Sequence, residues 1–258
     1  MSRLKYTTQL SAGLGLTEET KSLFNLFEPG MTVQIMLDKA LESGMFSNIT
    51  ARRLRNIIAE CFFPRYLRAR NVAPQVKELI PKLTSAELSQ LFFYYTAKAN
   101  PILADFVIEI YWQKYAAGYP SLSSEDSKDF IELALHNGNM QKIWSDLTVK
   151  RVASYLLGCL VDYNFLTVNN PKERRITPPR LSDNLAVYLA YEFHFLGLGD
   201  NAVIYHSDWQ LFGLSPEDIR EQMKNLALNR HWIIQIAGDV VHISWTYKNM
   251  EEVIRVIA

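Results

Sequence analysis

Cysteine is scarce in this chain. Only Cys61 and Cys159 occur among 258 residues, which excludes a disulfide framework and a cysteine-rich zinc site. Both fall within apolar stripes at helical spacing, a pattern that predicts buried free thiols. Long apolar runs are missing as well. A membrane helix needs roughly 20 consecutive apolar residues, and the best stretch, Val152 to Val161, is fenced by Lys150, Arg151 and Asp162. The start, Met1-Ser2-Arg3-Leu4-Lys5-Tyr6, has no apolar core behind its charges and does not read as a signal peptide. The expectation is a cytoplasmic protein without a membrane partner. An excess of either charge is also lacking: 27 basic residues balance 27 acidic ones. A nucleic-acid role must therefore rest on local clustering and not on net charge.

Catalytic patterns are equally thin. The histidines, His136, His194, His206, His231 and His242, never occur at the i, i+4 spacing of a helical metal pair. Gly13-Leu14-Gly15 and Gly197-Leu198-Gly199 lack the preceding strand and the remainder of a dinucleotide fingerprint. There is no phosphate-binding P-loop and no Gly-x-Ser-x-Gly elbow. Asp105 and Glu109 share a helix face but have no partner constellation around them. These absences predict a protein that is not an enzyme, with no metal, cofactor or small-molecule substrate.

What the chain does have is apolar and aromatic bulk, 48 % hydrophobic residues with 13 Tyr, 13 Phe and 5 Trp, enough for a substantial core. Helix signals recur along it. Thr17 precedes Glu18-Glu19, Thr32 opens a second helix ended by Gly44, and Thr50 caps a third that should stop before Pro64. Helix, turn and helix in that order suggest a helix-turn-helix unit. The aromatic block from Thr84 to Asn137 reads as helical scaffold. Thr148 then caps a helix with the apolar stripe Val149, Val152, Ala153, Leu156, Leu157 and Leu160. Behind it, Phe165–Val168 and Arg174–Thr177 read as strands around an Asn169-Asn170-Pro171-Lys172 turn, a winged-helix order. A third such unit starts at Ser215-Pro216, with a hairpin turn at Gly238-Asp239. The predicted fold is mainly α: helix-turn-helix and winged-helix-like units, with small β-hairpin wings, around a helical scaffold. Its expected segments are 1–82, 83–181 and 182–258.

Basic residues cluster on two of these units. With Leu54, Ile57, Ile58 and Cys61 facing the core, Arg52, Arg55 and Asn56 point outward and Arg53 lies on the flank. Arg forks suit guanine edges and phosphates, and Asn suits adenine. Arg65, Arg68 and Arg70, beyond Pro64, add charge suited to phosphates. On the second unit the outward residues are Lys150, Arg151, Ser154 and Tyr155, and the wing carries Lys172, Arg174 and Arg175, then Arg180. Recognition helix and wing normally share one side of such a unit. The third unit mixes Arg220 and Lys224 with Glu217, Asp218 and Glu221, a composition better suited to docking than to DNA. The alternative for all these faces is a solvated or protein-binding surface.

The chain also resembles a known family. The residues that carry the likeness are Leu23 to Phe27, Thr50 to Phe63, Tyr94-Tyr95-Thr96-Ala97 through Ala104-Asp105-Phe106-Val107, and Trp144-Ser145-Asp146-Leu147-Thr148 with Leu156-Leu157 and Phe165-Leu166. Together they resemble BrxA, the small subunit of bacteriophage exclusion (BREX) defence systems, over about Leu4 to Leu181. The resemblance implies a non-enzymatic subunit that binds double-stranded DNA and works beside separate methyltransferase and ATPase subunits. An adaptor that scaffolds other defence subunits is the alternative. The stretch from Ser182 onward is longer than the resemblance leads one to expect.

Overall fold

The structure is a computed structural model and describes residues 6–68, 70–140, 142–170 and 173–257. It is mainly helical with two small antiparallel sheets, the predicted class. After a 3-10 turn at Gln9–Ala12 come α1 (Thr17–Leu26), α2 (Val33–Glu42) and α3 (Ala51–Asn56), then α4 (Ala73–Leu79), α5 (Ser85–Ala99), α6 (Pro101–Phe106) and α7 (Trp112–Ala116). A short strand, β1 (Ser121–Leu122), precedes α8 (Ser124–His136) and α9 (Asp146–Asp162), and the hairpin β2 (Leu166–Asn170) and β3 (Glu173–Ile176) follows. The remaining elements are α10 (Asp183–Phe195), α11 (Asp200–Ile204), α12 (Pro216–Leu228), the hairpin β4 (Trp232–Ala237) and β5 (Val240–Trp245), and α13 (Met250–Val256).

These elements form two compact units, 1–77 with 91–179, and 78–90 with 180–258. The helices read from sequence as a separate N-terminal segment thus belong with the scaffold and α9. Residues 83–90, read as scaffold, belong with the C-terminal residues: the Gln90 amide donates to the Arg180 carbonyl at 2.8 Å and accepts from the Ser182 N–H at 3.1 Å.

Local chemistry explains most helix starts. Thr32 and Thr50 accept from backbone N–H groups three residues on, and Ser123 with Asp126 and Ser215 with Asp218 form capping boxes. α9 begins ahead of the expected cap, because Ser145, not Thr148, takes the capping role by accepting from the Thr148 N–H. The expected stop at Pro64 does not occur. α3 runs into π-helical turns at Ile57–Phe62 and Pro64–Arg68, and the Phe63 N–H reaches back to the Ile58 carbonyl, five residues earlier. Proline breaks an α-helix because its ring meets the carbonyl four residues back; the wider π turn relieves that contact.

The core of the first unit is aromatic. Phe24 packs edge-on against Phe62 and Tyr66, at ring distances of 4.8 and 4.9 Å, and Tyr66 in turn meets Tyr95 at 5.7 Å. In the second unit Tyr191 occupies the same role among Trp232, Trp245 and Tyr247.

The two hairpins solve one problem in two ways. A bare edge strand presents unpaired N–H groups. In the first sheet, of order β1-β3-β2, the short β1 covers the outer edge of β3. In the second, side chains at the start of α11 do this work. Asn201 accepts from the Val241 N–H at 2.8 Å, and Asp200 from the Ile243 N–H at 2.9 Å. The β4–β5 turn is the predicted one, with Gly238 at φ 59°, a left-handed value that glycine takes without strain.

An N-terminal strap crosses the first unit. Tyr6 pairs with the Asn139 carbonyl at 2.8 Å, and the Gly15 N–H donates to Asp162 at 2.9 Å. A Cβ on Gly15 would stand 2.5 Å from the Asp162 Cβ, so this approach requires glycine. Gly15→Ala is expected to cost about 1–3 kcal/mol through overpacking, seen as a lower melting temperature. Gly199→Ala, where nothing lies within 4 Å, should move it little.

Candidate nucleic-acid interface

α3 places Arg52, Arg55 and Asn56 on its exposed face and buries Leu54, as its spacing predicts. Arg53 is also on the surface, but its guanidinium donates to the Ala12 carbonyl and so holds the strap. Arg68 ends the π-helical stretch and Arg70 follows it in a bend, both exposed.

Arg65 corrects the sequence reading. It is 6 % exposed, and its guanidinium donates to the carbonyls of Gly13 at 3.0 Å, Leu14 at 2.8 Å and Gly15 at 3.3 Å. Tyr163 donates to the same Gly15 carbonyl at 2.9 Å and receives from Thr96 at 2.7 Å. Arg65 is therefore an internal brace and presents nothing to DNA. Helical winding carried past Pro64 turns it inward with Ile57, Ile58 and Cys61. The glycines of Gly13-Leu14-Gly15, considered above as a fragment of a dinucleotide fingerprint, serve this close packing instead. Burial pushes the neighbouring Cys159 thiol up to about 12 and raises Cys61 too, so both thiols stay protonated.

α9 exposes Lys150, Arg151 and Ser154, while Val149, Val152, Ala153, Leu156 and Leu157 are buried. Tyr155, grouped with the outward residues above, is half-buried. On the hairpin, Lys172 lies outside the described residues. Arg174 and Arg175 are not at the tip but in β3, the central strand, with Arg174 opposite Leu122 and Val168 and Arg175 opposite Ser121 and Thr167. Strand alternation sends them to opposite faces. Arg174 shares the face of buried Leu166 and Ile176 and is half-buried, whereas Arg175 is exposed on the other. Arg180 is exposed but belongs to the second unit.

Ion pairing divides the surface cations into two sets. Lys21, Lys39, Lys114, Lys128, Lys224 and Arg220 each lie within reach of a carboxylate. Arg52, Arg55, Arg68, Lys150, Arg151, Arg174, Arg175 and Arg180 have no such partner among the described residues. On α12, expected to expose Arg220 and Lys224, Arg220 is half-buried and donates to the Tyr205 hydroxyl at 2.6 Å, and Lys224 faces Glu221 at 3.5 Å. Its cations are thus largely neutralised.

Among the described residues no three His, Cys, Asp or Glu side chains gather as metal ligands, and no helix is long and apolar enough to cross a membrane. His194 stacks on Trp245 with ring centroids 4.3 Å apart, and His206 on Phe193 at 3.9 Å.

A crystal structure of an uncharacterized protein from Magnetospirillum magneticum shares the fold, with a TM-score of 0.58 over 74 % of this chain and 95 % of that one, at 17 % identity. No curated protein matches the chain. The sequence profile of the BrxA family matches residues 4–192, which take in α3, α9 and the first hairpin. With nearly three-quarters of its length so matched, the chain belongs to the BrxA family of bacteriophage exclusion (BREX) phage-defence systems.

Proposed function

We propose that the chain acts in phage defence as a non-enzymatic subunit that binds duplex DNA through its first unit. The observation that carries this reading is the set of exposed basic residues on α3, α9 and β3 that no carboxylate neutralises among the described residues. Surface cations left unpaired retain their full attraction for phosphate. The order β1, α8, α9, β2, β3, with β1 joining the second hairpin strand, supports a winged-helix reading. In that reading α9 enters the major groove and the hairpin flanks it. The α12 surface, with Arg220 and Lys224 paired, suits contact with other BREX subunits. Binding in the cytoplasm to chromosomal or phage duplexes fits this role.

The test is binding by variants of β3. Arg175 is exposed on a sheet face with Thr167 and Ser121, so Arg175→Glu should weaken duplex binding about ten-fold and leave the melting temperature unchanged. Arg174→Glu should change both, since its stem covers apolar surface. Unaltered affinity in both variants would remove the hairpin from the interface. An adaptor would instead hold its protein partners undiminished in high salt. Purified protein with magnesium, ATP or S-adenosylmethionine should neither cut nor methylate DNA. Cleavage or methylation abolished by a point mutation in this chain would overturn the non-enzymatic assignment.

A further inference from the structure

A recess of about 320 Å³ opens between the strap and α9, lined by Thr8, Thr148, Arg151, Val152 and Tyr155. Its polar lining consists of three hydroxyls and a guanidinium, with no carboxylate. Arg151, Thr8 and Tyr155 make no side-chain hydrogen bond or ion pair among the described residues. Thr148 Oγ1 lies 3.0 Å from Ser145 Oγ, which accepts from the Thr148 N–H. Ser145 can give its own proton to Thr148 Oγ1, which leaves the Thr148 hydroxyl proton to donate elsewhere. The recess thus gathers four donors around one space. Three hydroxyls that can donate, one guanidinium and no carboxylate together suit a phosphate group.

We propose that this recess seats one backbone phosphodiester of the bound duplex, with Arg151 as its counter-charge and the hydroxyls of Thr8, Thr148 and Tyr155 as donors. This deepens the DNA-binding reading and rests on it. The strap then has a second purpose: it brings Thr8, far away in sequence, to the edge of the helix that meets DNA. A phosphate held there pins the register of α9 on the duplex without reading sequence.

The test is duplex binding at several salt concentrations, with a scrambled duplex alongside. Each phosphate contact contributes about 0.9 to the slope of log K against log salt, so Arg151→Gln should flatten that slope by about 0.9. Thr8→Val with Tyr155→Phe keeps shape and charge. It should weaken both duplexes about five-fold, the worth of about one net hydrogen bond, with the slope retained. At equal ionic strength, inorganic phosphate should compete with DNA more than chloride does, and Arg151→Gln should erase that difference. Wild-type binding that persists unchanged in both variants would overturn the phosphate seat while leaving the DNA reading intact. An absence of wild-type binding to any duplex would overturn both. Phosphate competition with no effect of either variant on DNA would make the recess a seat for free phosphate and overturn the proposal.

Discussion

Replacing Arg65 with alanine is expected to destabilise the first unit by about 3–5 kcal/mol, the largest single effect in the chain. Three strap carbonyls take hydrogen bonds from one buried guanidinium. Its removal leaves the Gly13 and Leu14 carbonyls without that donor, and Gly15 with Tyr163 alone. Hydrogen bonds from a charged donor contribute about 1.5–3 kcal/mol each, partly offset as water enters the space. Arg65→Lys should recover only part of the loss, since an ammonium is a single point of donation where the guanidinium fork uses two nitrogens. Thermal or urea unfolding measures both variants. A surface role for Arg65 predicts instead an unchanged melting temperature and weaker DNA binding.

The largest expected effect on binding comes from reversing charge on α9. Lys150→Glu with Arg151→Glu should weaken duplex affinity on the order of 100-fold at ~0.1 M salt, because two phosphate attractions become repulsions. Both side chains are exposed and have no ion-pair partner among the described residues, so folding should be unaffected. Lys224→Glu on α12 is the matched control: that lysine already faces Glu221, and its loss should leave affinity unchanged. Equal losses from α9 and α12 variants would show a diffuse charge effect rather than a surface.

Much of this architecture was legible in sequence because it is local. Thr32, Thr50 and the Ser-x-x-Asp boxes mark helix starts through bonds that span three residues. The stripe on α9 and the Gly238-Asp239 turn follow from periodicity and from glycine's conformational freedom. The inward turn of Arg65 has a reason the spacing itself contains. Leu54, Ile57, Ile58 and Cys61 continue at intervals of three and four to residue 65, but Pro64 signals a stop, and a π turn is not visible in residue types. The opposite faces of Arg174 and Arg175 follow from strand alternation once the strand is known. β1, two residues long, has no period to detect. The strap, the Gly15–Asp162 approach and the contribution of Thr8 to the α9 recess depend on contacts between residues 41 to 148 positions apart, which no local pattern encodes.

The central claim is that unpaired basic residues of the first unit bind duplex DNA, and its most direct measurement is wild-type affinity for a fluorescent duplex across a salt series. Four to eight phosphate contacts predict that log K falls against log salt with a slope between about −4 and −7. Absence of binding at low salt, or affinity indifferent to salt, would contradict the account.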